Sequence, residues 1–278
     1  MKSYYFIAGL PRSGSTLISS VLKQNPEFYA DIKSPVLELT SNAIEIISES
    51  ENNFSITNSQ RKNLIYGIFD GYYQHLKNPI IFDSSRSWTR KTNFLKELFP
   101  YTKILCPVRD IVSIINSFET IFSKNSFYTN IILENSSNVF ARCDGLMNWN
   151  ADGQIAKPWI FLQEAFALNP EMIHFIEYEN LCKEPEKIMR GVYEFLEKPY
   201  YSHDFENVGY SNENFDRACN LKNLHTVKKR VEYNPPRNVL PPEIVKKYNE
   251  MNMEFWRNGN KQNEKIIDEL NKKTLKYV

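Results

Sequence analysis

The first sixteen residues constrain this chain more than any other stretch. An apolar run, Tyr4–Leu10, leads into Gly9-Leu10-Pro11-Arg12-Ser13-Gly14-Ser15-Thr16. A helical pattern follows over Ser15–Lys23 and stops before Asn25-Pro26. Strand, glycine-bounded turn and helix in that order turn successive backbone N–H groups inward, at a helix N-terminus that carries partial positive charge. Such a turn holds a phosphate or a sulfate. A Gly/Ser-rich connection with no ligand is the plainer alternative.

The rest of the chain supplies a sheet for that strand. Ile80–Asp83, Lys103–Val108 and Met172–Tyr178 are further short apolar runs, as expected of parallel strands covered on both faces. Helical patterns fall between them at Pro35–Ser48, Ser59–Leu76, Trp88–Phe99 and Asp110–Phe122. The alternation predicts an α/β fold, a central parallel sheet flanked by helices. The second half is more helical, with patterns at Glu186–Leu196 after Pro185, Pro242–Trp256 and Gln262–Leu275. Residues 207–240 read as a long loop, a length more often met in lids and binding segments than in filler. No linker or repeat divides the chain, so residues 1–278 are expected to form one domain.

Lys and Arg number 34 against 33 Asp and Glu, a net charge of +1, which offers no basic excess for nucleic acid or a membrane surface. An anion must therefore be held by a local site. No run approaches the roughly 18 apolar residues of a membrane span. The expected setting is cytoplasmic. Cys106, Cys143, Cys182 and Cys219 lie far apart and read as small reduced core residues, with no metal site expected.

The opening turn nearly meets the Walker pattern GxxxxGK[ST], with Ser15 where the lysine belongs. Nucleoside triphosphate enzymes place that lysine on the β- and γ-phosphates. In this chain Arg12 supplies the cation. A second anion grip follows the third apolar run, which ends in Arg109-Asp110 and opens a helix carrying Ser113 and Ser117. An arginine fork and a hydroxyl about two helical turns on can converge on one phosphate at the carboxyl edge of a sheet. Alternatively Arg109 pairs with a nearby carboxylate and Ser117 faces solvent.

Pro11-Arg12-Ser13-Gly14-Ser15-Thr16 resembles the 5′-phosphosulfate loop of sulfotransferases that use 3′-phosphoadenosine 5′-phosphosulfate (PAPS), in the short form of the bacterial and tyrosyl-protein branch. Arg109 and Ser117 match that family's strand-end arginine and following serine. The segment Phe175-Ile176-Glu177-Tyr178-Glu179-Asn180-Leu181, with Pro185 and Phe195-Leu196, matches a third family stretch. The resemblance implies a three-layer fold like that of P-loop NTPases, with a helical C-terminal part. It implies PAPS as donor, adenosine 3′,5′-bisphosphate (PAP) as product, and no required metal. Arg12, Ser13, Gly14, Ser15 and Thr16 would hold the 5′ end, and Arg109 and Ser117 the 3′-phosphate. Tyr178 would touch the adenine. Apart from the resemblance, Lys228, Lys229 and Arg230 form a basic run that could close over the 3′-phosphate, although such a run is usually a solvated face.

The pattern departs where the family often has a lysine and then a histidine base. This chain reads Asp83-Ser84-Ser85-Arg86, so Ser84 replaces the lysine and Arg86 stands near the histidine position. Arginine stays protonated and is no base. Arg12 and Arg86 are therefore candidate charge stabilisers, and Asp31 and His225 candidate bases. Small-molecule, sugar, lipid and peptide acceptors stay open. Two rival readings also stand: a P-loop kinase using Asp83 for magnesium, and a non-catalytic anion-binding module on the same fold.

Overall fold

The structure, a computed structural model, describes residues 2–49, 51–124, 138–150, 153–209, 216, 225, 227–251 and 253–257. Five parallel strands form one sheet: β1 (Ser3–Ile7), β2 (Phe28–Ala30), β3 (Ile80–Ser84), β4 (Ile104–Val108) and β5 (Ile173–Glu177), in the order β2-β3-β1-β4-β5. β1 lies between β3 and β4, with Ser3 opposite Ile80 and Phe6 opposite Ile104. The predicted α/β class holds. Four strands fall where the apolar runs put them. β2 was not foreseen, because three edge residues after Pro26 are too few to show a period.

The two-residue period of the strands sorts their side chains into two cores. Tyr4, Phe6, Ile81, Ile104, Cys106, Ile173 and Phe175 point to one face, and Tyr5, Ile7, Ile80, Phe82, Leu105 and Ile176 to the other. α1 (Ser15–Leu22) and α9 (Pro185–Phe195) cover the second face, α1 through Leu17, Ile18, Val21 and Leu22. The first face receives α3 (Asn58–Tyr73), α5 (Ile111–Lys124), α7 (Ala156–Leu168) and α10 (Pro242–Glu250), with Trp88 and Trp256 fully buried among them. α3 starts at a capping box in which Thr57 and Gln60 satisfy each other's backbone N–H groups. Three further helices are α2 (Val36–Glu49), α6 (Val139–Leu146) and α8 (Tyr178–Lys183).

Some expected boundaries move. The pattern over Trp88–Phe99 divides into a 3-10 turn, Arg86–Lys91, and α4 (Thr92–Leu98). Pro242–Trp256 stops as a helix at Glu250, while Trp256 still packs in the core. Tyr178 opens α8 instead of ending β5. α6 and α7 were not anticipated. Gln262–Leu275 and Cys219 lie outside the described residues, as does much of 207–240. The part of that loop that is described is tied down: Val208 N–H donates to the Lys229 carbonyl at 2.7 Å, and Val231 N–H to that of Phe205 at 2.8 Å. Cys106, Cys143 and Cys182 are free and buried.

The opening turn is anchored on β4. Ala8 and Leu10 donate backbone N–H groups to Leu105 and Pro107, each at 2.9 Å. Between them Gly9 lies so close to β4 that a Cβ there would stand 2.1 Å from the Pro107 carbonyl oxygen. Only a residue without a side chain permits that approach. Gly9→Ala should therefore destabilise the protein by at least ~2 kcal/mol, in the upper part of the range for overpacking, because the atom met is backbone. Urea unfolding of the two proteins checks it, and an unchanged midpoint would contradict the close approach.

Candidate active site

The C-terminal ends of β1, β3, β4 and β5 deliver the chemistry-bearing residues to one edge of the sheet, where open α/β sheets bind ligands. After β1 the backbone turns through two left-handed residues, Arg12 at φ 56° and Gly14 at φ 89°. That conformation costs a non-glycine residue ~1 kcal/mol or more, so Arg12 is held there by its surroundings. Gly14 is the N-cap of α1 and offers no side-chain cap, which leaves first-turn N–H groups for an anion. Ser13 is buried, and its hydroxyl donates to the Pro11 carbonyl at 3.2 Å; Ser15 and Thr16 are half-buried at the helix start.

The two anion grips expected from the sequence are one contiguous structure. Arg12 Nε donates to Ser117 Oγ at 3.1 Å, and Arg109 Nη1 donates to the Arg12 carbonyl at 3.3 Å. Arg109 also pairs through Nε with Glu179 Oε1 at 3.0 Å, and its guanidinium stacks over Tyr178 at 4.4 Å. The carboxylate pairing weighed for Arg109 thus exists, yet it uses only part of the fork. Tyr178 packs against the turn, since a Cβ on Gly14 would meet its ring at 2.8 Å. Burial, with Cys182 adding to it, raises the Tyr178 phenol to about 12, and Arg109 opposes the rise.

Positive charge gathers at this edge under partial burial. The Arg12 guanidinium is lowered to about 10, first by burial and then by the charge of Arg109. Tyr178 and Asp216 pull the other way, and Arg86 adds to the repulsion. Arg86 is exposed at the start of the 3-10 turn after β3. An anion placed among these guanidiniums would relieve their mutual repulsion.

His225 belongs to the same field. Its Nδ1 lies 2.8 Å from Asp216 Oδ1, and its backbone N–H reaches both Asp216 oxygens, at 3.1 and 3.2 Å. Burial lowers the His225 pKa, Asp216 opposes that, and Arg12 and Arg86 lower it further. Asp216, buried at 5% exposure, went unrecognised in the sequence because it stands nine positions before His225 with no motif between. Glu179 also went unassigned, although it sits in the Tyr-Glu-x-Leu segment.

The other candidates lie elsewhere or turn elsewhere. Asp31, just after β2, accepts from Ile32 N–H at 2.8 Å and hydrogen-bonds to Tyr29, whose phenol is raised to about 12 by burial and then by Asp31. Lys228 and Lys229 are exposed. Lys228 pairs with Glu232 at 3.5 Å, and the neighbouring Arg230 with Glu206 at 3.0 Å. Asp83, the acid a kinase would need, is sealed inside. It has no exposed surface and accepts from Ser34 and Tyr73 at 2.5 Å and from Trp88 at 2.6 Å. Burial raises its pKa.

The profile of the sulfotransferase family matches residues 5–202. The chain belongs to the sulfotransferase family. Protein-tyrosine sulfotransferase A of Caenorhabditis elegans is 27% identical over 207 residues, covering 71% of this chain and 50% of the nematode protein. The chain thus spans about half the length of that relative. Mouse sulfotransferase SULT7A1, solved in complex with PAP, shares the fold at a TM-score of 0.55 and 14% identity, over 95% of this chain and 89% of that one. A sulfotransferase domain from the curacin biosynthetic pathway aligns at a TM-score of 0.49 and 19% identity, over 72% of this chain and 76% of that domain. Among the described residues no helix of this chain is long and apolar enough to cross a membrane.

The sealed acid separates the sulfotransferase from the kinase reading by experiment. Asp83→Ala strands three buried donors, each costing ~1–3 kcal/mol when unsatisfied, so the variant should lose several kcal/mol of stability. At a temperature where it stays folded, its affinity for PAP should equal that measured for the parent, whatever that is, with or without magnesium. Retained stability together with lost, magnesium-dependent nucleotide binding would instead make Asp83 a metal ligand.

Proposed function

We propose that this chain transfers a sulfuryl group from PAPS to a hydroxyl or amine acceptor. The observation that carries the reading is a glycine turn whose cations are the arginines Arg12, Arg86 and Arg109 and which lacks the Walker lysine. A donor with a 5′-phosphosulfate and a separate 3′-phosphate fits that arrangement better than a triphosphate does. The bare N–H groups at Gly14–Thr16 would take the 5′ end, with Arg12 beside the bridging oxygen. Arg109, through its remaining donors, and Ser117 would take the 3′-phosphate, and Tyr178 would offer its ring to the adenine.

Bound PAPS supplies a sulfuryl group on a bridge that breaks as the acceptor attacks. Arg12 and Arg86 would stabilise negative charge on that bridge and on the sulfuryl oxygens. Preorganised cations are worth most where charge grows during reaction, because no solvent must reorganise around them. Acceptor deprotonation falls to a base that is unprotonated at working pH, with Asp31 and His225 the candidates carried from the sequence. Lys228 and Lys229 are the surface cations carried from the sequence as contacts of the 3′-phosphate, with Lys228 paired to Glu232. The nematode relative is named for protein tyrosine, so a tyrosine-bearing peptide is the first acceptor to assay.

PAP should stabilise the fold by about 2.7 kcal/mol at a hundredfold excess over its dissociation constant, and far more than ATP or 5′-AMP does at equal concentration. Arg109→Ala should weaken PAP binding several-fold to a hundredfold, the loss of a charge-assisted bond worth ~1.5–3 kcal/mol, and barely change 5′-AMP affinity. Thermal shift and calorimetry check both, and equal shifts with PAP and 5′-AMP would remove the 3′-phosphate grip. Arg12→Ala should lower turnover by roughly 10²–10³, more than it weakens PAP, with Arg12→Lys recovering part. Turnover at saturating donor that ignores Arg12→Ala would end its assigned role.

A further inference from the structure

Resting on the PAPS reading and its 3′-phosphate grip at Arg109 and Ser117, we infer that Arg237 is a further cation of that grip, fastened beside it through Asn116. One buried side chain docks the Arg237 segment on α5. Asn116 Nδ2 donates to the Arg237 carbonyl at 3.1 Å, and Asn116 Oδ1 accepts the Val239 N–H at 2.9 Å. Donor and acceptor ends of one amide are thus engaged on one stretch of backbone, which fixes where that stretch lies. The next residue of α5 is Ser117, whose hydroxyl accepts from Arg12 Nε at 3.1 Å. The backbone of Arg237 therefore meets α5 one residue from the serine assigned to the 3′-phosphate.

The stretch is held on either side as well. Pro235-Pro236 precedes it with restricted φ, Asn238 Oδ1 accepts the Leu240 N–H at 3.0 Å, and Leu240 is buried in the core ahead of α10. Little backbone freedom is left to lose when an anion arrives. The side chain is not committed in this way. Arg237 is exposed, and among the described residues nothing pairs with its guanidinium.

The other cations of residues 227–240 are placed differently. Lys228 pairs with Glu232, Arg230 pairs with Glu206, and Lys229 acts on Asp204. Asp204 is bound in turn by Gln24, whose side chain accepts its N–H and donates to its carbonyl, both at 2.8 Å, just past the C-terminal end of α1. The glycine turn lies at the other end of that eight-residue helix, about 12 Å away.

Charge favours a second cation at the grip. A phosphate monoester carries nearly two negative charges at neutral pH. Arg109 is already answered by Glu179 through Nε, and its Nη1 donates to the Arg12 carbonyl. A second guanidinium adds both charge and a planar fork of donors matched to phosphate oxygens.

Calorimetry with PAP and 5′-AMP on the full chain tests the inference, because the two ligands differ by the 3′-phosphate alone. Arg237→Ala should weaken PAP about tenfold, the low end for a charge-assisted bond at an exposed site, and leave 5′-AMP unchanged. Arg237→Lys should recover part of the loss. Lys62→Ala, which removes one charge from α3, should change neither affinity. In the wild-type chain phenylglyoxal should label Arg237, and PAP should protect it where 5′-AMP does not, a readout that needs no variant. Equal weakening of both ligands by Arg237→Ala overturns the inference, as does no change in either. So does labelling of Arg237 that bound PAP leaves undiminished. A wild-type chain that binds PAP no better than 5′-AMP would instead strike the 3′-phosphate grip itself, and the part of Arg237 would fall with it.

Discussion

The close contact between Gly9 and Pro107 is the constraint on which the site depends. It locks the start of the glycine turn onto β4, so the turn and the strand-end arginine arrive at the sheet edge as one piece. Arg109 follows Val108 directly, and its Nη1 reaches the Arg12 carbonyl at 3.3 Å. The left-handed backbone at Arg12 is held between these contacts, and its side chain is led toward Ser117 at 3.1 Å. A side chain at position 9 would push the turn off β4, and with it the spacing of both grips.

Crowding guanidiniums at a half-buried edge is unfavourable unless something answers their charge. Part of the answer is internal. Glu179 pairs with Arg109, the Tyr178 ring lies beneath it, and Asp216 acts on Arg12. The Arg12 pKa is lowered by burial first and by the charge of Arg109 second. Burial first, and then Arg12 and Arg86, lower the His225 pKa, while Asp216 opposes them. A few residues away Asp83 shows the opposite use of an acid. With three donors converging on it, Asp83 ties Ser34, α3 and Trp88 to β3 and takes no part in the open site.

The fold was largely legible because its signals are local. Short apolar runs, three of them without alternation, marked four of the five strands, Pro and Asn marked helix ends, and the glycine turn marked the passage from β1 to α1. What escaped was short or decided by neighbours. β2 has three residues, and the turn at Arg86–Lys91 carries the same spacing as the helix it leads into. Arg12, Arg109, Ser117 and Tyr178 were named from the sequence, and the structure brings them into contact. Lys228 was named too, but surface carboxylates compete for such a cation, and it lies against Glu232.

The sequence by itself determined the α/β class, the glycine turn after the first strand and the arginines near it, because each rests on residues adjacent in the chain. Folding decided which acid each base or cation meets. Asp83 looked like a metal ligand at a strand end until Ser34, Tyr73 and Trp88 closed over it. His225 was a lone loop histidine until Asp216 lay 2.8 Å from its ring. A carboxylate's role depends on whether donors, cations or water surround it. That shell is assembled from segments far apart in the chain, and only the tertiary structure brings it together.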